Sequence, residues 1–524
     1  MTRHQDEHRL KVMMVTEGTY PYYFGGVSTW CHLLLRGLPS VDFTLMGIVA
    51  DPHRQTLYEL PSNVKEFISV PIWGVRAVQE LDRTLGFGKL RHSRRITSEA
   101  AVAQEFVPLF RRFLSELLSE SWSPAALANS INRLHRYFTT HDFDLAMRAE
   151  ATWKAFAAFA TAWFPRMAAK AGYPETEYSL ADLSTALQWL YHLFFPISRP
   201  LPKVDVVHTA MAGTCTLVAV CAKLEHGAAF MLTEHGVYLR EAYIYESGQA
   251  SSLFLKILRL SFARRITELT YRLADQISPC CDYNKRWELR MGARPEQLRT
   301  IPYGVDSDGF APAGKKAGED PAVVVWVGRI NPLKDLETLV RAAALVREQR
   351  PDIVFQLYGS ATAEDEPYYR DVVALRDELG LGDTVLFKGY VAKPEAAFNQ
   401  GDVVVLSSIS EALPFSIMEA MLCAKPVVAT AVGGVPEEVG TCGHVVEPRN
   451  PRLMAEAILD LMNDPERCMA LGQAAREKAM NEFNLQQSSR SHYASYVRLA
   501  KLAAGEKRSE IAESSPAMPA RTSK

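Results

Sequence analysis

Leu10-Lys11-Val12-Met13-Met14-Val15-Thr16 is a short apolar run, of the kind that forms a strand buried on both faces of a parallel sheet. Gly18, Pro21 and Gly25-Gly26 then break the chain, and Val27 to Leu38 reads as an amphipathic helix with Trp30, Leu33, Leu34 and Leu38 at helical spacing. Strand, glycine turn and helix make the opening unit of a doubly wound α/β fold. The theme returns at Val41 to Val49, Val204 to His208 and Ala229 to Thr233, which read as strands. A second α/β unit opens at Ala322-Val323-Val324-Val325-Trp326-Val327 before Gly328, with Ile353 to Tyr358, Thr384 to Phe387 and Val403 to Leu406 as further strands. Two facing doubly wound, Rossmann-like domains are expected, with the ligand site in the cleft between them.

Ser98 to Phe195 has helical periodicity throughout. Phe106, Leu109, Phe110, Phe113 and Leu117 fall on one face, and Trp153, Phe156, Phe159 and Trp163 on another. This stretch reads as an all-helical insert in the N-terminal domain, its aromatic stripes serving as core more readily than as a cofactor or partner groove. The turn-rich segment Gly304 to Asp320 marks a linker. The expected organisation is a first α/β domain over 1–307 with the insert at about 98–195, and a second α/β domain over 308–479. A C-terminal helix over 480–504 would pack back toward the first domain, and 505–524 would be a disordered tail.

The 524 residues are 48% hydrophobic and 23% charged, an ordinary globular composition. Lys plus Arg total 58 against 60 Asp plus Glu, a net charge of −2, so no overall field draws the chain to nucleic acid or an anionic bilayer. The polar start Met1-Thr2-Arg3-His4-Gln5-Asp6 lacks a signal core, and the apolar run Ala155 to Pro165 is too short to cross a bilayer. Eight cysteines without CxxC spacing, two of them adjacent at Cys280-Cys281, suit reduced thiols in a cytoplasmic protein and not a disulfide framework or a zinc site.

The residues with most chemical content lie in Ser410-Glu411-Ala412-Leu413-Pro414-Phe415-Ser416-Ile417-Met418-Glu419-Ala420-Met421, directly after the strand ending at Leu406. Strand carboxyl ends are where α/β folds bind ligands. Pro414 suits the first helical position, which leaves Glu411 in the loop and Glu419 about a turn and a half inside the helix. Two carboxylates there repel phosphate and suit hydroxyl-rich groups flanking one; alone, they read more readily as a helix-start carboxylate and a solvated helix residue. Arg329 and Lys334 offer a planar fork and a point charge, both suited to phosphate oxygens. Gly25-Gly26 before a helix allows backbone N–H groups to approach a ligand, and Gly433-Gly434 forms a tight turn. His235 and His208 end strands, a position where a lone histidine is more often structural.

Taken together, Glu411-x₇-Glu419, Gly328-Arg329-x₄-Lys334 and Gly433-Gly434-Val435-Pro436-Glu437 resemble the signatures of the retaining GT-B glycosyltransferases of family GT4. Ile301-Pro302-Tyr303-Gly304-Val305-Asp306 resembles that family's interdomain motif, with Tyr303 in place of Asn. The resemblance implies that Glu411 contacts the donor sugar, Glu419 the ribose, Arg329 and Lys334 the diphosphate, and His235, with His208 as a secondary candidate, the transferred sugar. Gly25, Gly26, Gly433 and Gly434 join the donor site. A narrower resemblance, to the glycosyltransferases of Pel-type bacterial exopolysaccharide and biofilm synthesis, is carried by Thr16 to Val27, Thr233 to Glu241 and the helical insert. It implies a UDP-sugar donor, a glycan acceptor, inner-membrane synthase-complex partners, no nucleic acid and no cofactor, in the cytoplasm or peripheral at the inner membrane through those partners. Because Arg329 and Lys334 can neutralise the leaving diphosphate, no metal is expected, and Asp306-Ser307-Asp308 and Asp142-Phe143-Asp144 are read as chance Asp-x-Asp pairs. A nucleotide-binding scaffold subunit is the alternative. A dinucleotide oxidoreductase is disfavoured because no Gly-x-Gly-x-x-Gly follows the first strand.

Overall fold

The computed structural model describes residues 9–73, 86–313 and 321–505. The polar start, the linker residues 314–320 and the tail beyond 505 lie outside the described residues. The chain divides into two compact units, one of Met1–Ser278, Glu288–Arg299 and Ser491–Lys524, the other of Pro279–Trp287 and Thr300–Arg490. The division thus falls earlier than the single cut at 307 expected from the linker, and Pro279–Trp287 belongs with the second unit.

The first unit holds six strands: β1 (Lys11–Glu17), β2 (Asp42–Val49), β3 (Val64–Pro71), β4 (Val206–Thr209), β5 (Ala229–Glu234) and β6 (Gln276–Pro279). Their order is β3-β2-β1-β4-β5-β6. β1 pairs in parallel with both β2 and β4, and β2 with β3 and β4 with β5 do the same. Valines and methionines of β1 are fully buried, which is why this strand reads as a continuous apolar run without alternation. β3 and β6 were not anticipated. β3 carries Lys65 and Glu66 on an edge, and β6 is four residues of Gln, Ile, Ser and Pro.

The second unit repeats the arrangement with β7 (Val323–Val327), β8 (Val354–Tyr358), β9 (Val385–Gly389), β10 (Val403–Leu406), β11 (Val427–Thr430) and β12 (Gly443–Val446). The order is β12-β11-β10-β7-β8-β9, parallel throughout. Counted from each unit's first strand, both sheets run 3-2-1-4-5-6, the doubly wound order. Strand order reverses between β1 and β4, and again between β7 and β10, and such switch points are where ligands bind. β11 (Val-Val-Ala-Thr) and the partly buried β12 (Gly-His-Val-Val) lack the continuous run of large apolar residues that marks β7 and β10.

The helical insert occupies the crossover from β3 to β4, with helices Phe87–Ile96, Val107–Leu118, Pro124–Thr140, Phe143–Arg148, Glu150–Lys170 and Leu180–Phe194. Phe106, Phe110, Phe113 and Leu117 are buried as the periodicity requires. Phe194 lies edge-on to Phe113 with ring centroids 4.9 Å apart and also meets Phe110 and Phe138. Of the other stripe, Phe156 and Trp163 are buried, while Trp153 and Phe159 are only partly covered. Among the described residues no helix is long and apolar enough to cross a membrane, and all eight cysteines are free thiols.

The last helix, Leu485–Ala503, contributes its residues from Ser491 onward to the first unit. There Ser495 accepts from the Gln276 amide at 3.0 Å, and Arg498 donates to the same side chain. Removing the aromatic ring at the centre of the insert tests its core: Phe194→Ala is expected to lose about 3–5 kcal/mol, read as a lowered denaturant midpoint in unfolding followed by tryptophan fluorescence.

Candidate active site

In the second unit the loop after β7 is fixed by its own backbone. Gly328 N–H donates to the Tyr358 carbonyl at 3.0 Å. Gly359, at φ 156°, approaches so closely that a Cβ there would stand 1.8 Å from the Gly328 oxygen, so no other residue fits. Asn331 caps the turn Pro332–Lys334 by accepting from Leu333 N–H at 3.1 Å. Asp335, in the left-handed region at φ 46°, then caps the helix Leu336–Gln349 and accepts from the Thr338 hydroxyl at 2.7 Å.

The loop after β10 is tied to this turn. Ser407 donates its hydroxyl to the Lys334 carbonyl at 2.7 Å, and Ile409 N–H donates to the Leu333 carbonyl at 2.8 Å. The side chains complete the link: Lys334 Nζ donates to Glu411 Oε1 at 2.5 Å, and the Ser408 hydroxyl donates to the same oxygen at 2.7 Å. Lys334 and Glu411 are largely covered, so this charge-assisted bond is shielded from water. Arg329 is exposed and among the described residues makes no hydrogen bond or ion pair. Its charge is therefore available to an incoming anion.

Gly433 and Gly434 brace Glu411 from behind. A Cβ on Gly433, whose φ is 58°, would lie 1.9 Å from the Glu411 carbonyl oxygen, and Gly434 N–H donates to the Ala412 carbonyl at 2.7 Å. Helix Phe415–Leu422 starts one residue later than expected, with Pro414 as its extended cap instead of its first residue. Tyr303, which departs from the family pattern, is buried and stacks on Phe415 with ring centroids 4.9 Å apart and planes 11° from parallel. Glu419 is half-buried, and burial, followed by the nearby charge of Glu395, pushes its carboxyl up to about 8. Glu438, which the sequence reading missed, is fully buried below this loop. Burial and then the Glu411 charge raise its carboxyl well above the ordinary range.

In the first unit, Gly25 and Gly26 are exposed at the start of helix Gly26–Gly37, with Gly25 at φ 156°. At the end of β1, Glu17 accepts from the backbone N–H and the hydroxyl of Thr214, both at 2.9 Å. Three histidines surround buried Trp30: His235 at a centroid distance of 4.4 Å, His208 at 5.6 Å and His492 at 5.9 Å. His208 has both ring nitrogens engaged, one 2.7 Å from the Tyr496 hydroxyl and the other 2.7 Å from the Thr233 hydroxyl. It acts as a latch joining β4, β5 and the last helix. Burial, then the proximity of His492, lowers His235 to about 3, so its ring is neutral at physiological pH. Neighbouring Glu234 is pushed up to about 8 by burial and accepts from Tyr238 N–H at 2.8 Å. Trp30 and His492 carry no motif that would have revealed them.

Both Asp-x-Asp pairs have structural work. Asp306 caps the turn Ser307–Gly309, Asp142 caps helix Phe143–Arg148 and accepts from Arg94, and Asp144 accepts from the Tyr191 hydroxyl.

Two outcomes follow from this geometry. Gly433→Ala meets a left-handed backbone and the Glu411 carbonyl, so a loss of at least about 1–2 kcal/mol is expected in equilibrium unfolding. Glu419, with a folded value of about 8 against 4.5 unexposed to the fold, holds its proton more tightly when folded, so stability falls as pH rises through that window. Glu419→Gln removes this term. Its Tm advantage over the parent should be smallest near pH 4.5, grow with pH and level off above 8.

Comparison with known proteins fits these two sheets. Residues 10–296 match the family described as "Domain of unknown function (DUF3492)", and residues 310–478 match "Glycosyl transferases group 1". The chain is similar to the D-inositol 3-phosphate glycosyltransferase of Pseudarthrobacter chlorophenolicus, 36% identical over 203 residues, covering 36% of this chain and 48% of that one. It is likewise similar to the enzyme of that name from Kineococcus radiotolerans, 34% identical over 231 residues, 39% of this chain and 53% of that one. The chain thus spans about half the length of the curated relatives it matches. Among solved structures, sucrose-phosphate synthase from Thermosynechococcus elongatus aligns with a TM-score of 0.60 at 18% identity, covering 94% of this chain and 99% of that one. Anabaena Alr3699/HepE in complex with UDP and glucose aligns with a TM-score of 0.56 at 15% identity, covering 93% and 99%. At such identities the likeness shows the fold alone, that of two parallel Rossmann-like sheets as in GT-B glycosyltransferases. More than half of the chain lies within the first of the two matches, and the chain belongs to the DUF3492 family, with a second unit similar to the group 1 glycosyl transferases.

Proposed function

We propose that the chain is a retaining glycosyltransferase that moves a hexose from a UDP-sugar to a glycan acceptor, with the second unit taking the nucleotide sugar and the first the acceptor. The observation that carries this reading is the Lys334–Glu411 pair at the β7/β10 switch point, with Arg329 exposed on the same loop. In the transition state of transfer, positive character builds on the sugar ring and negative charge on the departing diphosphate. Preorganised cations at the second are the main catalytic resource. Arg329 supplies a fork for phosphate oxygens and Lys334 a second charge, which makes a metal unnecessary for that task.

Lys334 is neutralised by Glu411, so an arriving diphosphate competes for the ammonium and frees a carboxylate oxygen for sugar hydroxyls. Glu411 thereby orients the donor sugar, and Gly433-Gly434 set its backbone. Glu419 takes the ribose, the Gly25-Gly26 N–H groups approach the donor phosphate, and neutral His235 contacts the transferred sugar. The HepE structure similar in fold holds UDP and glucose, which supports UDP as the carrier. A Pel-type exopolysaccharide is the proposed acceptor, and proteins of an inner-membrane synthase complex are the proposed partners, on the resemblance of Thr16 to Val27 and Thr233 to Glu241.

Titration calorimetry with UDP, ADP and GDP tests the donor assignment. Selective UDP binding, weakened about 10- to 100-fold in Arg329→Ala as expected for a lost charged hydrogen bond, is the expected result; no nucleotide binding by folded protein would refute it. Glu411→Gln should keep UDP affinity and lose most turnover of UDP-sugar. Transfer should survive chelation of divalent metal.

A further inference from the structure

We propose that the helical insert carries a saccharide-binding pocket of its own. A cavity of about 680 Å³ opens among the helices Phe143–Arg148, Glu150–Lys170 and Leu180–Phe194 and the end of β3, within the roughly 300–1,000 Å³ range of small-ligand sites. Its walls combine rings and hydrogen-bonding groups. Trp73 is 43% exposed although it packs on His192 at a centroid distance of 3.8 Å, and Trp153 is, with Phe159, one of two partly covered members of its stripe. Asp144 is positioned by the Tyr191 hydroxyl at 3.2 Å and faces Arg148 at 3.6 Å. Ser184, Gln188 and Tyr191 follow one face of a single helix.

His192 adds a second sign that the pocket is built for a polar ligand. It is 93% buried, from a relative exposure of 7%, and among the described residues neither ring nitrogen meets a partner at hydrogen-bond geometry. The Ile72 backbone stands as an acceptor toward one ring nitrogen, short of full hydrogen-bond geometry. Leaving the other nitrogen unmatched is unfavourable, and a ligand hydroxyl would answer it.

This lining selects a sugar over other classes. A sugar ring offers apolar C–H faces to indole rings, and hydroxyls that both donate and accept to carboxylate, guanidinium and amide groups. A nucleotide would need an excess of cations, yet Arg148 stands opposite Asp144. An acyl chain would need continuous apolar walls, which Asp144, Arg148 and Gln188 interrupt. That the natural occupant is the acceptor glycan rests on the transferase reading; the chemistry of the pocket does not.

Titration calorimetry of the full chain with cellotetraose and chitotetraose, alongside UDP, tests the pocket. Trp73→Ala and Asp144→Asn should each weaken tetrasaccharide binding by about tenfold or more with UDP affinity unchanged. Undiminished tetrasaccharide binding in both variants would overturn the proposal, as would no tetrasaccharide binding by a parent chain that still binds UDP. Tetrasaccharide binding that depends on Trp73 in a chain that binds no nucleotide would uphold the pocket and refute the donor assignment instead.

Discussion

The Lys334–Glu411 ion pair is the contact that ties together the two loops of the candidate site in the second unit. It exists because β7 and β10 are neighbours in the sheet, although 77 positions separate the two side chains in sequence. The sheet order brings the loops together, the Ser407 and Ile409 hydrogen bonds align them, and the two glycines at 433 and 434 press the Glu411 backbone into place. Each step engages backbone atoms, the Lys334 and Leu333 carbonyls and the Glu411 backbone among them, and so holds the charged atoms in a fixed relation. The arrangement leaves Arg329 as the charge still open to a ligand, while Lys334 is already matched.

The first unit holds its polar groups differently. His208 is locked by two hydroxyls and cannot also serve a ligand without breaking one of them. His235, beside it, is kept neutral by burial, so it acts as a hydrogen-bonding group and not as a cation. Both lean on Trp30 and on the last helix, which supplies His492 and Tyr496 from the far end of the chain. The helical insert, by contrast, is organised around phenylalanine contacts, and polar groups gather beside Trp153 as well as around buried His135 and Asp142.

The strands that were legible were the ones buried on both faces. Val12 to Val15, Val323 to Trp326 and Val403 to Leu406 have almost no exposed surface, so selection for burial left an unbroken apolar signature. β3 failed that test because its first half faces solvent and β12 because it is only partly buried, while β6 and β11, though buried, are Gln-Ile-Ser-Pro and Val-Val-Ala-Thr and carry no unbroken run of large apolar residues. The candidate site divides in the same way. Glu411, Arg329 and Lys334 stand in loops with recognisable spacing, whereas Gly359, Glu438 and His492 have no local pattern, and the spacing that marks Trp30 as a helix-face residue says nothing of the histidines around it.

The sequence by itself determined two doubly wound units, a helical insert and a set of charged loop residues, because periodicity and spacing are properties of neighbours along the chain. Only the tertiary structure decided that Lys334 is held by Glu411, that His208 is a latch, that Asp306 caps a turn and Asp142 a helix, and that Trp153 lines a pocket of apolar and polar walls. These depend on which strands lie side by side and which side chains are removed from water, and a one-dimensional pattern does not contain either.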